Sequence, residues 1–171
     1  MKTVMPVSQH EDCIFCKIVH GEIPCTSVFE SEELIAFLDI SPVNKGHTLL
    51  VPKAHMETLF DMPDDIGQTL LAAMKQVGTA VMEATGAKGL NVVQNNYPAA
   101  GQQVPHVHWH LIPRFADDGH MAWPQGGISR CAGDGCPCWR YPRKIITDNF
   151  KHEQKRGIFF RCRHAIFLNY R

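Results

Sequence analysis

The sequence PHVHWHLIP, residues 105–113, places a histidine at every second position and fills the gaps with large apolar side chains. Successive side chains of a β-strand point to opposite faces, so a strand would put His106, His108 and His110 together on one face. The intervening valine, tryptophan and leucine would pack on the other face, and the flanking prolines bracket a length typical of a strand. A chance cluster or a histidine-rich metal tract would not require this alternation. The pattern therefore predicts a strand that buries its apolar face and presents three imidazoles to a cleft.

The composition limits the classes of function that the chain can have. It has 171 residues, is 44% hydrophobic and carries 17 Lys plus Arg against 17 Asp plus Glu. This is sufficient for one domain with an appendage, and the balanced charge argues against recruitment of nucleic acid or an acidic membrane. No apolar run approaches about 18 residues and no secretory leader is recognisable, so we expect no membrane span and a cytoplasmic location. Seven cysteines without an export signal favour metal ligands or free thiols over disulfides.

Hydrophobic periodicity predicts an α+β fold. Apolar residues recur at spacings of four and three after Pro63 and predict one long helix that ends near Gly86: Ile66, Leu70, Met74, Val77 and Val81. A short helix is expected over residues 12–19, and strands over 27–30, 34–38, 47–51, 89–95 and 105–113. Short loops between neighbouring strands imply an antiparallel sheet of about five strands, with the long helix covering one face.

Two segments carry a resemblance to a known family. AFLDISPVNKGHTLLVPKAH, residues 36–55, and QNNYPAAGQQVPHVHWHLIPR, residues 94–114, resemble the histidine triad family of nucleotide hydrolases and transferases. The resemblance implies a histidine triad domain over residues 12–127, after a loose leader at 1–11. It also implies attack at the α-phosphorus of a purine nucleoside phosphoramidate or a dinucleoside polyphosphate.

The family assigns catalytic roles to three histidines. A neutral imidazole is a nucleophile near pH 7, and a protonated one can neutralise phosphate oxygens. The resemblance implies that His108 is the nucleophile and forms a nucleotidyl-histidine intermediate that water hydrolyses. His110 would contact the phosphate, and His47 would support the histidine strand.

The resemblance also assigns residues that bind the nucleotide. The loop before the histidines would supply phosphate donors from Asn95, Gln102 and the backbone of Gln103 and Val104, with Gly101 permitting close approach. Many relatives carry a small hydroxyl residue where Gln103 stands, so a backbone contact is expected there. Asp39 would bind the ribose, although an Asx-type turn before Pro42 is an alternative reason for this residue. The walls of the base pocket would be Phe15, Ile18, Phe37 and Ile40, each of which is also an ordinary core residue.

Cys13 and Cys16 form a C-x-x-C pair. Such a pair can be redox-active, metal-binding or accidental. In bacterial members of the family a similar pair ligates a structural zinc ion together with a histidine after a Pro-Lys turn and the first triad histidine. These would be His55 and His106, and two thiolates with two imidazoles make a closed tetrahedral site without an open position. Two buried free thiols are the alternative, and no redox cofactor is expected.

Residues 128–171 differ in character, with four cysteines and a basic excess. They could form a metal knuckle or a nucleic-acid surface. Residues 134–146 could also derive from a frameshift, because synonymous codons read one nucleotide later allow an alanine-rich helical ending. We therefore predict that this tail carries no function.

The resemblance implies a homodimer that acts on a purine nucleotide, and the composition argues against a membrane or nucleic-acid partner. A nucleotide-binding scaffold of the same fold with little turnover is the alternative. A pure binder would have no need of the nucleophile His108.

Overall fold

The computed structural model describes residues 10–116 and 118–119. These residues form two α-helices and one five-stranded sheet: α1 (Ile14–Val19), β1 (Ser27–Glu30), β2 (Leu34–Leu38), β3 (Thr48–Pro52), α2 (Ile66–Thr85), β4 (Gly89–Gln94) and β5 (Trp109–Arg114). Two short 3-10 helices lie at Leu59–Asp61 and Pro98–Ala100. The strand order is β1-β2-β3-β5-β4, and every neighbouring pair is antiparallel. The predicted α+β class, with five strands, one short helix and one long helix, is confirmed.

The long helix α2 begins and ends as its sequence predicts. It follows Pro63 and ends at Gly86, whose φ of 71° lies in the left-handed region that glycine adopts without strain. Its buried side chains lie on one stripe and pack on one face of the sheet. No helix in the described part of the chain combines the length and apolar character that a bilayer crossing requires.

The side chains of residues 106–111 point alternately to the two faces of the sheet. Val107, Trp109 and Leu111 are buried in the core cluster that contains the apolar stripe of α2. The opposite face carries a second apolar cluster, in which Phe15 of α1 and Phe37 of β2 pack together. The histidines belong to this second face, so the sheet separates the main core from the site.

The first half of the predicted histidine strand is not a strand. Strand β5 begins at Trp109, because β3 offers partners only to residues 109–111. Val107 N–H instead donates to the carbonyl of Met56 at 2.7 Å, and His106 N–H donates to the carbonyl of Val104 at 2.8 Å. Pro105 has no N–H to donate. Residues 105–108 are therefore held by hydrogen bonds to loop residues, yet their side chains keep the predicted alternation between the two faces of the sheet.

Smaller differences affect the ends of other elements. Strand β3 begins one residue after the predicted start, because His47 N–H closes a turn on the carbonyl of Asn44 at 3.0 Å. Helix α1 begins at Ile14 and not at residue 12, and β4 ends at Gln94 and not at 95. Residues 1–9 of the leader and the tail at 128–171 lie outside the described residues, so the predictions about them stay predictions.

Candidate functional site

A cleft of about 1000 Å³ opens on the face of the sheet opposite α2. Helix α1, the loop after β2 and the loop before the histidines contribute to its walls. Almost all the catalytic and nucleotide-binding residues predicted from the sequence line this cleft: Phe15, Ile18, Phe37, Asp39, Ile40, His47, Asn95, Gly101, Gln103, Val104, His108 and His110. The volume is within the range of small-molecule sites and is sufficient for a nucleotide.

His108 is buried and held by its own chain. Its Nδ1 lies 2.6 Å from the carbonyl oxygen of His106. A carbonyl only accepts, so Nδ1 carries the proton and donates, which leaves the lone pair on Nε2. The ring of Phe15 packs edge-on against the imidazole, with the ring centroids 5.0 Å apart. These contacts fix both the tautomer and the orientation of a potential nucleophile.

His47 and His110 form a hydrogen-bonded pair with a defined direction. The backbone N–H of Val43 donates to Nδ1 of His47 at 3.2 Å, so in the neutral ring Nε2 carries the proton. That Nε2 lies 3.0 Å from Nδ1 of His110 and donates to it. In a neutral His110 the remaining proton is therefore on Nε2. The N–H of Val43 thus determines, through His47, that Nε2 of the cleft-lining His110 carries a proton and can donate it in a hydrogen bond.

The environment of the cleft favours the neutral forms of His47, His108 and His110. Burial, together with the neighbouring imidazoles of His108 and His47, lowers the pKa of His110 to about 4. Burial also lowers the pKa of His108 and of His47, and Asp39 opposes both shifts. Because the ordinary value is near 6.5, the lone pair of His108 is available at neutral pH.

Asp39 forms the Asx-type turn and also lines the cleft. Its Oδ1 accepts from Ser41 N–H at 2.8 Å, and its Oδ2 lies 3.5 Å from Nδ1 of His47. A carboxylate oxygen can accept more than one hydrogen bond, so this turn leaves acceptor capacity for a ligand hydroxyl. The turn fixes the direction of the carboxylate.

The apolar side of the cleft comes from α1, β2 and the loop after β2. Phe15 and Phe37 are buried and meet edge to face, with the ring centroids 5.7 Å apart. Ile18 is partly buried, whereas Ile40 is 98% exposed at the rim. An exposed isoleucine beside two buried rings leaves an apolar surface that a flat ligand can cover.

Four of the five residues predicted for phosphate binding line the cleft, and Gln102 is the exception. Gly101 has a φ of 89° and lines the cleft with Asn95, Gln103 and Val104. Gln102 is buried and is not among the residues that line the cleft. Its Oε1 accepts from Tyr97 N–H and its Nε2 donates to the carbonyl of Glu57, both at 2.6 Å. Both polar atoms of the Gln102 amide therefore have partners within the protein, and the prediction of a phosphate donor at Gln102 stays a prediction.

Four further side chains come together beside His108. The sulfurs of Cys13 and Cys16 and the Nδ1 atoms of His55 and His106 all lie within 4.8 Å of one another. Nδ1 of His106 is 3.4 Å from Cys13 Sγ, 3.8 Å from Cys16 Sγ and 3.3 Å from Nδ1 of His55. Zinc bonds of about 2.3 Å to sulfur and 2.0–2.1 Å to nitrogen in tetrahedral geometry require donor separations of about 3.3–3.8 Å.

The donor chemistry of this cluster also fits a metal ion. Nε2 of His106 donates to the carbonyl of Pro52 at 2.9 Å, so its Nδ1 holds the lone pair that faces the cysteines. Burial lowers the pKa of His106 to about 4 and raises the pKa of the Cys16 thiol. A bound cation would stabilise the thiolates against this burial.

Sequence reasoning missed several residues around the cleft. Val43 orients His47 through its backbone, which no side-chain pattern can reveal. Asn44 donates to the carbonyl of Pro113 and to Asp118, both at 2.9 Å, and so fastens the loop of Asp39 to the end of β5. The turn composition around Asn44 was its only signal. Cys25 lines the cleft with an exposed thiol and had no motif to identify it.

Comparisons with known proteins identify similar sequences and structures. A family model of the HIT domain matches residues 20–117. The chain is 50% identical over 109 residues to an uncharacterised HIT-like protein of Methanocaldococcus jannaschii, covering 64% of this chain and 84% of that one. It is 41% identical over 119 residues to an adenosine 5'-monophosphoramidase of Schizosaccharomyces pombe, covering 68% and 86%. A solved HIT family structure from Bacillus subtilis is similar with a TM-score of 0.65 and 42% identity, covering 68% and 84%.

Proposed function

The chain belongs to the histidine triad (HIT) family, and on this basis we propose that it is a nucleotide hydrolase that works through a nucleotidyl-histidine intermediate. The observation that carries the proposal is the 2.6 Å hydrogen bond from Nδ1 of His108 to the carbonyl of His106. It gives a buried, neutral imidazole whose Nε2 holds the lone pair beside a nucleotide-sized cleft. Relatives named adenosine 5'-monophosphoramidase favour a purine base and a phosphoramidate substrate.

The proposed reaction has two displacements at one phosphorus. Nε2 of His108 attacks the α-phosphorus, the bond from phosphorus to the leaving amine or phosphate breaks, and the leaving group takes a proton from the solvent. Water then attacks the same phosphorus, the P–N bond to His108 breaks, a proton of the water returns to the solvent, and a nucleoside monophosphate is released. His110, with Nε2–H as a donor, would stabilise the charge that develops on the phosphate oxygens.

Binding groups surround this phosphorus in the proposed complex. Asn95 and the backbone at Gly101, Gln103 and Val104 would bind phosphate oxygens, and Asp39 would accept from the ribose hydroxyls. The apolar wall with Ile40 would cover the base. Each of these residues lines the same cleft as His108.

The substrate class is tested by steady-state hydrolysis of an adenosine phosphoramidate and of a diadenosine polyphosphate. We expect turnover of at least one class by the wild type and a loss of at least about 10²-fold in kcat for His108→Ala. His20→Ala is the matched control, because His20 is an exposed histidine at the end of α1. Tight nucleotide binding without turnover of either class would indicate a nucleotide-binding scaffold and contradict the proposal.

We propose that Cys13, Cys16, His55 and His106 hold a structural zinc ion. The separations and the directed lone pair of His106 support this assignment. Four protein ligands leave no open position, so the ion would supply rigidity and no catalytic water. The backbone carbonyl of His106 also orients His108, so the proposed ion would stabilise the segment that holds the nucleophile.

We propose further that the protein is a homodimer in which two copies pair through β4. This strand lies at one end of the sheet order, and no strand in the described part of the chain covers its outer edge. Val92 in its middle is 49% exposed. The opposite edge, β1, is only four residues long and has a register shift between Ser27 and Phe29, which makes it a poor template for pairing.

A further inference from the structure

Tyr97 has a backbone conformation that residues with a side chain rarely adopt. Its φ is 68° and its ψ is 157°, in a region that is essentially restricted to glycine. Its carbonyl accepts from the N–H groups of Ala100 and Gln102, at 3.0 and 3.2 Å. Tyr97 therefore begins the turn that leads into Gly101 and the cleft-lining residues after it. Such a conformation persists only where surrounding contacts enforce it.

The side chain of Gln102 makes the contacts that enforce this turn. It is 7% exposed, and its Oε1 accepts from the N–H of Tyr97 at 2.6 Å, directly at the strained residue. Its Nε2 donates to the carbonyl of Glu57, also at 2.6 Å. One amide group therefore fastens the start of the turn to a segment 45 positions earlier in the chain.

The segment at residues 56–59 holds the loop at several points. The carbonyl of Met56 accepts from Val107, next to the nucleophile, and the carbonyl of Glu57 accepts from Gln102. The N–H of Leu59 donates to Oδ1 of Asn96 at 2.9 Å. The loop before His108 is thus held against a neighbouring segment at its beginning, its middle and its end.

We infer that Gln102 is a positioning residue, whose side chain clamps the strained turn at Tyr97. The backbone groups of Gly101, Gln103 and Val104 then stay in the positions from which they bind the phosphate. This inference rests on the proposed function for the identity of the ligand. It assigns the Gln102 amide to the protein and not to the leaving group or the phosphate. The phosphate contacts of this loop are then made by its backbone and depend on the clamp.

Kinetics with two leaving groups distinguish a clamp from a substrate contact. For Gln102→Ala we expect kcat to fall roughly 10- to 100-fold, because displaced backbone donors no longer match the transition state. The factor should be the same for an adenosine phosphoramidate with a good and with a poor leaving amine. Gln68→Ala, an exposed glutamine on α2, is the matched control. A loss that is much larger for the poor leaving group would indicate direct contact and overturn the inference.

Relief of the strain at Tyr97 should partly replace the clamp. In the double variant Tyr97→Gly with Gln102→Ala, glycine adopts the required backbone without strain, and we expect about a tenfold recovery of kcat over Gln102→Ala. Tyr97→Ala with Gln102→Ala is the control, because it also removes the ring that stacks on Phe60 but keeps the strain. The inference is wrong if neither double variant recovers, or if both recover equally.

Hydrogen exchange separates this inference from the proposed function. In the free wild-type protein the Tyr97 amide should be protected, and Gln102→Ala should increase its exchange by at least tenfold without changing the amides of α2. This change would support the clamp even if the wild type hydrolysed no nucleotide. Unchanged exchange at Tyr97 in a folded Gln102→Ala variant would overturn it, whatever the activity.

Discussion

The proposed nucleophile His108 and its neighbour His110 obtain their tautomers from backbone groups. The carbonyl of His106 places the proton of His108 on Nδ1, and the N–H of Val43, acting through His47, places the proton of His110 on Nε2. A neutral imidazole can be donor and acceptor at once, but the choice of nitrogen depends on its partners. The site therefore depends on residues that do not touch the substrate.

His47 is expected to act through His110. In His47→Ala, His110 loses the donor that keeps its proton on Nε2, and we expect kcat to fall on the order of 100-fold with a smaller change in KM. His47→Gln supplies an amide N–H and should recover part of this loss. Steady-state kinetics of the three proteins check this expectation. Equal kcat in the wild type and in His47→Ala would show that the hydrogen bond from His47 to His110 is not needed for the reaction.

The depressed pKa of His110 makes stability depend on pH. Its value of about 4 in the folded chain lies below the ordinary 6.5, so the unfolded chain binds more protons between these values. Its contribution to the free energy of unfolding, on the order of 1–3 kcal/mol, is present above pH 6.5 and lost as the pH falls toward 4. Denaturant unfolding between pH 7 and 4 should show a shallower decline for His110→Ala than for the wild type. Parallel curves of the free energy of unfolding against pH for the two proteins would contradict His110 as the origin of this pH dependence.

At the scale of elements, the proposed zinc site would join three separate parts of the chain. Cys13 precedes α1, Cys16 lies within it, and His55 and His106 come from loops after β3 and before β5. A metal ion would therefore fasten α1 to the sheet and support the wall of the cleft at Phe15.

Removal of one ligand should release the ion and weaken the fold. We expect one zinc equivalent per chain in the wild type, and we expect Cys16→Ser to lose it and to lower the Tm by at least about 5 °C. Metal analysis and thermal unfolding measure the two effects. Cys25→Ser is the control, because Cys25 is an exposed free thiol. A wild type without zinc after purification in zinc-containing buffer would refute the site.

The elements also show which features a sequence can reveal. The alternation of residues 106–111 predicted both the buried face and the histidine face, because it is a local pattern. The start of β5 at Trp109 was not predictable, since the carbonyl of Met56, far away in the chain, takes the N–H of Val107. The same reason applies to Gln102, whose partner Glu57 is 45 positions away. Hydrogen-bond partners from distant segments leave no periodic signal.

At the scale of the whole molecule, the exposed edge of β4 predicts the assembly. Val92→Asp places a charge in the middle of the proposed β4 pairing, so we expect a monomer at concentrations where the wild type is a dimer. Val28→Asp is the matched control, since Val28 is also 49% exposed but lies on β1 at the other edge. Sedimentation or light scattering gives the mass in solution. A monomeric wild type, or dissociation by Val28→Asp alone, would contradict pairing through β4.

The proposed intermediate increases the mass of the whole molecule. The most direct measurement is the intact mass of the protein after rapid quenching of its reaction with an adenosine phosphoramidate, beside His108→Ala treated in the same way. We expect one nucleoside monophosphate to be covalently added to the wild type, stable to base and labile to acid, and no addition to His108→Ala. Substrate turnover in which no adduct forms on the wild type, or an adduct on both proteins, would contradict His108 as the nucleophile.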